Sequence, residues 1–568
     1  MKKPPPLPIY PISDLRDLLF QASDRYPNRI ALQSKKNGTY VPLTFRELRD
    51  RVNRLAAAYG DLGLKKGDRV AVLSPNRTEW ALSYLAAVTS GLVAVPIDKD
   101  LTIREISQVV NFSGPRVLIC SKEHIDPLKK HRNEIPSVER IISMEEERIG
   151  SDLSFPELLE TGSGLLAEGQ CYLQDSNVSA GDLAAIIFTS GTTGGSKGVM
   201  LSHGNLVANI MATSQHISIE DGILLSVLPL HHTYECMAGF LLALYQGCTI
   251  CHAESLRRIP DNMRETKPTV VIGVPLLFES LYRKIEEGIK QKGEWKFRVA
   301  KGIASLSERL LKRNIRRSLF KPVHDQLGGG LELLISGGAA GNAKVAKGFR
   351  ELGINFIQGY GMTEASPIIA VNRVNYFKDD SVGLPLEGLD VKIVEGEILV
   401  QGASVMSGYY LNEEATQDSL LDGWLRTGDL GHFDDEGFLY VSGRKKSVIV
   451  TSNGKNVYPE EVETVLNQSP YILESLVWGG PEKEPSRVAV QAIVVPLIET
   501  FDDQWGPGYC DEKKIHEVIG QEIKERCREL AQYKRVKGFV IRSEEFEKTT
   551  TRKIKRYLYT GGDDPSVK

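Results

Sequence analysis

Apolar residues recur along this chain with two periods, and the alternation of those periods predicts its architecture. Between about residues 180 and 370, short apolar runs suited to buried strands alternate with segments of helical period. Leu183–Phe188, Leu224–Val227, Thr269–Val274, Leu331–Ser336 and Ile354–Gln358 are the predicted strands. Ser202 suits the N-cap of a helix running through Gln215. Ala238–Gln246 predicts a helix closed by Gly247, and Ala343–Leu352 one closed by Gly353. Residues 40–120 repeat the rhythm, with Phe45–Leu62 as helix and Arg69–Leu73 as strand. A βαβ rhythm places largely parallel sheets under helices, so the chain is read as α/β with two sheet-bearing halves. After Gly383 the segments shorten to turn-rich strands that end near Gly443. Residues 447–568 read as a separate small α+β unit. There Pro459-Glu460-Glu461 opens a helix with proline and acids in its first turn.

The length of 568 residues fits a large domain plus a smaller one. A net charge of −3 argues against a general nucleic-acid binder. No apolar run is long enough to span a bilayer. The first residues, Met-Lys-Lys-Pro-Pro-Pro-Leu-Pro, have no apolar core of a signal peptide and read as an extended, loose leader. Seven scattered cysteines make no disulfide framework and suit a reducing, cytoplasmic setting. Cys248 and Cys251 are spaced as CxxC. On a strand they would face opposite sides, which favours core packing over metal binding. Residues 281–323 carry thirteen Lys or Arg against four Glu and are periodic in Leu, Ile and Phe. Two readings stand: a solvated helical face, or a basic amphipathic patch for an anionic membrane, at its inner face, or for an acidic partner.

The candidate chemistry begins in Ile186-Ile187-Phe188-Thr189-Ser190-Gly191-Thr192-Thr193-Gly194-Gly195-Ser196-Lys197-Gly198-Val199. An apolar strand empties into a loop of glycines and hydroxyls with one lysine near its end. Glycines let backbone N–H groups approach an anion, hydroxyls add donors, and lysine adds a point charge. The order Ser196-Lys197-Gly198 is not that of a Walker loop. By itself the stretch fits either a polyphosphate grip or a plain flexible loop. Gly337-Gly338-Ala339-Ala340 follows a strand and precedes a helix, where small residues let a flat ring lie on the backbone. Gln358-Gly359-Tyr360-Gly361-Met362-Thr363-Glu364 offers an aromatic for stacking, a hydroxyl for phosphate and a carboxylate for a hard cation. Trp424-Leu425-Arg426-Thr427-Gly428-Asp429 places a carboxylate in a turn, as ribose partner or as Asx cap. Gly443-Arg444-Lys445-Lys446 begins the small unit, and Lys553 lies near its end.

In order and spacing these motifs resemble the adenylate-forming superfamily of acyl-CoA ligases, adenylation domains and luciferases, over about residues 15–557. The resemblance implies a large domain, 1–445, of parallel-rich sheets sandwiched by helices with a small β-barrel-like subdomain. It implies a small mobile α+β domain at 446–568. Thr189 to Lys197, with Ser190, Gly191, Thr192, Thr193 and Gly194 among them, would hold the β- and γ-phosphates of ATP. Gly338 and Ala339 would border adenine, with Tyr360 stacked on it. Thr363 would contact the α-phosphate. Glu364 would coordinate Mg2+, with Thr192 as a second candidate ligand. Asp429 and Arg444 would take the ribose hydroxyls, and His232 would line the acyl site. Lys446 would be the hinge and Lys553 the catalytic lysine, although Arg552 stands where the family usually has glycine. Gly454 and Lys455 would face the thiol tunnel.

The implied function is ATP-dependent activation of a medium- to long-chain fatty acid to acyl-AMP, then transfer to coenzyme A. Gly361, where acetate-specific relatives carry Trp, would leave the acyl pocket open. The alternatives are an acyl carrier protein as acceptor, an aryl or short-chain acid as substrate, and a nucleotide-binding regulatory protein on the same fold.

Overall fold

The computed structural model describes residues 4–170, 176–189, 197–292, 294–311, 315–339, 341–451, 455–481, 488–506, 511–549 and 553–560. The chain divides into two compact units. One comprises Met1–Val391 and Val400–Leu425, the other Lys392–Leu399 and Arg426–Lys568. This division of packing falls earlier in the chain than the boundary expected at 445/446. A pivot of rotation is a separate property, and Lys446 as hinge is taken up below.

The first unit holds two large sheets, as the repeated βαβ rhythm predicts. In one, nine strands are ordered so that Leu333–Ser336 lies between Val270–Gly273 and Asn355–Gly361, all parallel. In the other, eight strands place Val93–Ile97 between Arg69–Leu73 and Leu183–Thr189. Predicted strand centres hold, and ends shift by one to three residues, as hydrogen-bonded termini do. The helix Phe45–Asp61 starts at Thr44 with a reciprocal capping box to Glu47. Ser202 caps His203–Ser214, its hydroxyl accepting from the Asn205 N–H. Thr78–Thr89 is buried at all twelve positions and touches strands of both sheets, the expected setting of a helix apolar on every face. Cys248 and Cys251 are free and buried.

Two expectations are corrected. The leader is held from Pro4 onward: the Leu7 N–H donates to Gln215 O at 2.9 Å, and Arg373 donates to Pro4 O at 2.7 Å. The Tyr10 N–H and O both bond the Tyr245 hydroxyl at 2.8 Å. Proline-rich backbone keeps its carbonyls unpaired, so these distant donors can take them. The helix expected at Ala238–Gln246 begins earlier, as a π-helix Glu235–Leu241 that passes into α-helix Leu242–Tyr245. A Cβ on Gly239 would stand 2.6 Å from the Glu235 carboxyl carbon, so that carboxyl lies over a glycine. Short wide turns of this kind are frequent at functional sites.

The turn-rich segments form a five-stranded sheet that includes Leu389–Val394, Glu397–Gly402, Trp424–Phe433 and Leu439–Arg444. The division of the chain runs through these segments. Further on, Val488–Pro496 is the middle of three strands, antiparallel to Ile472–Pro481 and parallel to Gly538–Ile541. Helix Pro459–Leu466 carries proline and two glutamates in its first turn, as predicted. A core around Val462, Leu466, Val477, Ala492, Ile519 and Ile523 closes this α+β part.

Burial pushes the Glu235 carboxyl up to about 8, so it is neutral at pH 7. Its folded affinity for a proton exceeds the unfolded one. Native stability therefore falls as pH rises from about 5 to 8, and no further beyond the folded value. Glu235→Gln, which cannot ionise, is expected to flatten that decline. Thermal midpoints of both proteins from pH 5 to 9 measure it, and parallel curves would contradict the assignment.

Candidate active site

The loop predicted to grip phosphate closes a hairpin. Thr189 ends one strand and pairs directly with Lys197, which starts the next. Ser190, Gly191, Thr192, Thr193 and Gly194 lie outside the described residues, as do Ala340 and Gly454. The ends of the loop are nevertheless fixed, because Phe188 faces Gly198 and Ile187 faces Val199 in the same ladder.

A short strand, Gly408–Tyr409, lies antiparallel to Val199 and Met200 on the outer side of that hairpin. It carries the tyrosine that joins two predicted residues. The Tyr409 hydroxyl donates to Glu364 Oε1 at 2.8 Å, and the Lys197 ammonium lies 4.8 Å from the Tyr409 ring centroid. The Met406 N–H also donates to the Glu364 carbonyl at 2.8 Å. Lys197 and Glu364, 167 positions apart in the chain, therefore share one tyrosine.

Glu364 sits in the 3-10 turn Thr363–Ala365, just past the strand Asn355–Gly361. Thr363 is buried, and its hydroxyl accepts from the Thr233 hydroxyl at 3.2 Å. The next residue, Tyr234, packs its ring against Gly337: a Cβ there would come within 2.9 Å of it. Gly338, with φ +84°, is in the left-handed region, which suits its place in a strand-to-helix turn. Ala339 follows it. His232 lies on the same segment as Thr233 and Tyr234. Its Nδ1 accepts the Tyr234 N–H at 3.2 Å, so the neutral ring carries its proton on Nε2. The segment 232–234 thus reaches the Thr363 turn and the 337–339 turn together. Tyr360 and Gly361 end the strand that leads into Thr363.

Gly361 has a role beyond the open pocket expected of it. A Cβ at this position would lie 2.0 Å from the Pro367 carbonyl oxygen. The glycine is required by the close approach of the antiparallel strand Ile368–Val371. Replacing it with tryptophan would break backbone packing before it closed a pocket, so that substitution is no test of chain length.

In the second unit, Asp429 and Arg444 face each other across neighbouring strands, and Arg444 Nε lies 3.0 Å from Asp429 Oδ1. Asp429 is buried and Arg444 exposed. Beneath them stands Glu397, which the sequence reading missed. Its carboxylate accepts from the Gly428 N–H at 3.2 Å, from Arg426 at 3.2 Å and from Lys445 at 2.9 Å. Burial alone would raise its pKa, but Lys445 and Arg426 outweigh that and hold it below the usual carboxylate range. Lys446 is exposed in the 3-10 turn Lys445–Ser447. Lys553 is exposed on a hairpin end, where its N–H donates to the Thr549 hydroxyl at 3.2 Å. That hairpin is anchored by Lys548, nearly buried between Glu474 at 2.8 Å and Glu545 at 2.7 Å.

The residues present suit a magnesium nucleotide better than a protein-built metal cage. Among the described residues no group of three or more His, Cys, Asp or Glu converges. A single steadied carboxylate, Glu364, is the usual protein share for Mg2+ carried on phosphate oxygens.

The fold is that of adenylate-forming acid–CoA ligases. It superposes on an anthranilate CoA ligase, AuaEII, with a TM-score of 0.77 at 22% identity, over 97% of both chains. A Mycobacterium tuberculosis fatty acyl CoA synthetase gives 0.64 at 24%, over 96% of this chain and 97% of that one. The family described as AMP-binding enzyme matches residues 19–410, and the chain belongs to that family. It is 29% identical to the long-chain-fatty-acid–CoA ligase FadD15 of Mycobacterium tuberculosis, over 84% of this chain and 82% of the relative. It is also 29% identical to the long-chain-fatty-acid–CoA ligase of Haemophilus influenzae, over 90% and 89%.

Tyr409→Phe keeps the ring but removes the hydroxyl from Glu364. Loss of such an outer partner typically weakens metal binding about 10- to 100-fold. The variant is expected to need at least about tenfold more Mg2+ for half-maximal pyrophosphate release, at little cost in thermal stability. An unchanged Mg2+ titration would show that Tyr409 does not position Glu364.

Proposed function

We propose that this protein activates a medium- to long-chain fatty acid with ATP and transfers the acyl group to coenzyme A. The observation that carries the reading is the likeness to long-chain-fatty-acid–CoA ligases over most of the chain, 84% and 90% of it in the two relatives named. Support from the site is the meeting of Lys197, Glu364, Thr363 and the 232–234 segment in one unit.

The chemistry follows from charge. A fatty carboxylate is ionised at neutral pH, its pKa being about 4–5, and needs no general base. Its oxygen attacks the α-phosphorus as the bond to the β-phosphate oxygen breaks, leaving acyl-AMP and pyrophosphate. The obstacle is repulsion between anions. Lys197 and the hydroxyls of 189–193 would hold the outer phosphates, Thr363 the α-phosphate and Glu364 the Mg2+. When bound, the ion supplies positive charge against the phosphate oxygens. Asp429 and Arg444 would take the ribose, with Glu397 holding the Gly428 N–H beside Asp429 in the strand, where the sequence suggests a turn. Gly338, Ala339 and Tyr360 would enclose the adenine, and His232 would line the acyl site. Lys553 would offset the charge that develops at the α-phosphate. In the second step a thiolate attacks the acyl carbon and AMP leaves with its oxygen. Rotation about Lys446 would withdraw Lys553 for that step and bring Gly454 and Lys455 toward the thiol.

Two measurements test the proposal. Wild-type protein offered C2 to C18 acids, with coenzyme A or acyl carrier protein as acceptor, should prefer the longer acids and coenzyme A. A preference for acetate, an aryl acid or carrier protein would overturn it. Lys553→Ala should slow pyrophosphate release by about 10²–10³-fold, the usual effect of removing one transition-state donor. It should leave thioester formation from supplied acyl-AMP intact, and equal loss in both steps would refute the lysine's assigned role.

A further inference from the structure

The helix Glu294–Leu311 has two apolar faces, and only one is used by the core. Ala304 and Ser307 are buried, and Phe297 and Ala300 pack on the core of the nine-stranded-sheet half. The Phe297 ring lies 5.1 Å from that of Phe320, which fixes this side of the helix inward. At about 100° per residue, Trp295, Val299, Ile303 and Leu306 fall within an arc of about 80° on another side. They are exposed by 67, 51, 49 and 56% respectively. A merely solvated face would carry polar residues at these positions.

The surrounding charge is predominantly positive. Residues 281–323 hold thirteen Lys or Arg against four Glu, in a chain whose net charge is −3. Arg298 is exposed on the same helix, and Lys290 is exposed near the end of the preceding helix, Pro275–Lys292. Lys301 is turned aside to Glu351, 2.5 Å away, and lies over the Phe297 ring. An apolar stripe with a tryptophan, in a basic surround, on an 18-residue helix has the build of an element that lies in a membrane interface. Among the described residues no helix is long and apolar enough to cross a membrane, so the contact would be peripheral.

We propose that Glu294–Leu311 lays its Trp295–Val299–Ile303–Leu306 stripe on an anionic bilayer surface. The occupant is a lipid surface because charge and apolarity coincide on the one helix. An acidic protein partner would account for the lysines and arginines alone, and a second copy meeting this face through a two-fold axis would set the basic patch against itself. The surface gives the protein a place where water-insoluble acyl chains are stored, so it extends the ligase reading without resting on it.

The test is sedimentation with phosphatidylcholine vesicles, with and without phosphatidylglycerol, in the absence of ATP and acid. Its failure is therefore separate from any failure of the ligase reading. Wild-type protein should partition onto the anionic vesicles and detach as salt rises. Trp295→Glu with Val299→Glu should lower partitioning by about tenfold or more, since excluded side chains lose their burial. Arg298→Gln with Lys290→Gln should weaken binding and reduce its salt dependence. Both variants alter exposed positions and should keep wild-type turnover on a soluble medium-chain acid. No wild-type binding, or binding that ignores both variants, would overturn the proposal. Self-association that is lost in the Trp295→Glu, Val299→Glu variant, without vesicle binding, would also overturn it and assign the face to a second copy.

Discussion

The site depends on one junction between the two large sheets. Tyr409 belongs to the edge of the eight-stranded sheet, and Glu364 to the turn beyond a strand of the nine-stranded one. Their hydrogen bond of 2.8 Å, with the Met406 N–H on the Glu364 carbonyl, joins the edge of the one sheet to the turn that follows a strand of the other. A second tie lies beside it. Asn209, fully buried on the helix His203–Ser214, donates to the carbonyls of Ala365 and Ile368 at 3.2 and 2.8 Å and accepts the Ile368 N–H at 3.3 Å. A buried amide stripped of these partners would cost about 1–3 kcal/mol, so the junction is specific as well as tight. It brings the loop hairpin and the Thr363–Glu364 turn together, although neither sheet alone could do so.

From that junction the rest of the first unit follows. Parallel strands end at one edge of their sheet, and their following turns collect there. The turns after Leu333–Ser336 and Asn355–Gly361 supply Gly338, Ala339, Thr363 and Glu364. The segment 232–234 crosses to both turns through Thr233 and Tyr234. Glu397 does similar work in the second unit, where one buried carboxylate holds the Gly428 N–H beside Asp429 and the lysine after Arg444.

What could be read in the sequence was what lies local in the chain. Strand centres, the cap Ser202 and the proline-first helix at 459 depend on neighbours a few residues away. The candidate motifs were legible because each is a contiguous run of residues with a fixed chemical sense. Tyr409, Asn209, Thr233 and Glu397 were missed because their partners stand 45, 159, 130 and 31 positions away. Asn209 left one faint signal, a lone amide in the apolar face Leu206-Val207-Ala208-Asn209-Ile210. Gly361 carries a further constraint that the sequence hides, because sequence shows that a side chain is missing but not what fills its place. Here the Pro367 carbonyl does. The π-turn at Glu235 was hidden for a related reason, since its helical period differs from the α period by too little to register in seven residues.

The central claim is that this junction serves activation of a fatty carboxylate by ATP. Its most direct test is exchange of labelled pyrophosphate into ATP without coenzyme A, with and without fatty acids of increasing length. That exchange requires a reversible acyl-AMP step and nothing after it. The account predicts exchange that depends on the acid, grows toward long chains and is negligible with acetate. Absence of fatty-acid-dependent exchange, or exchange selective for acetate or an aromatic acid, would contradict it.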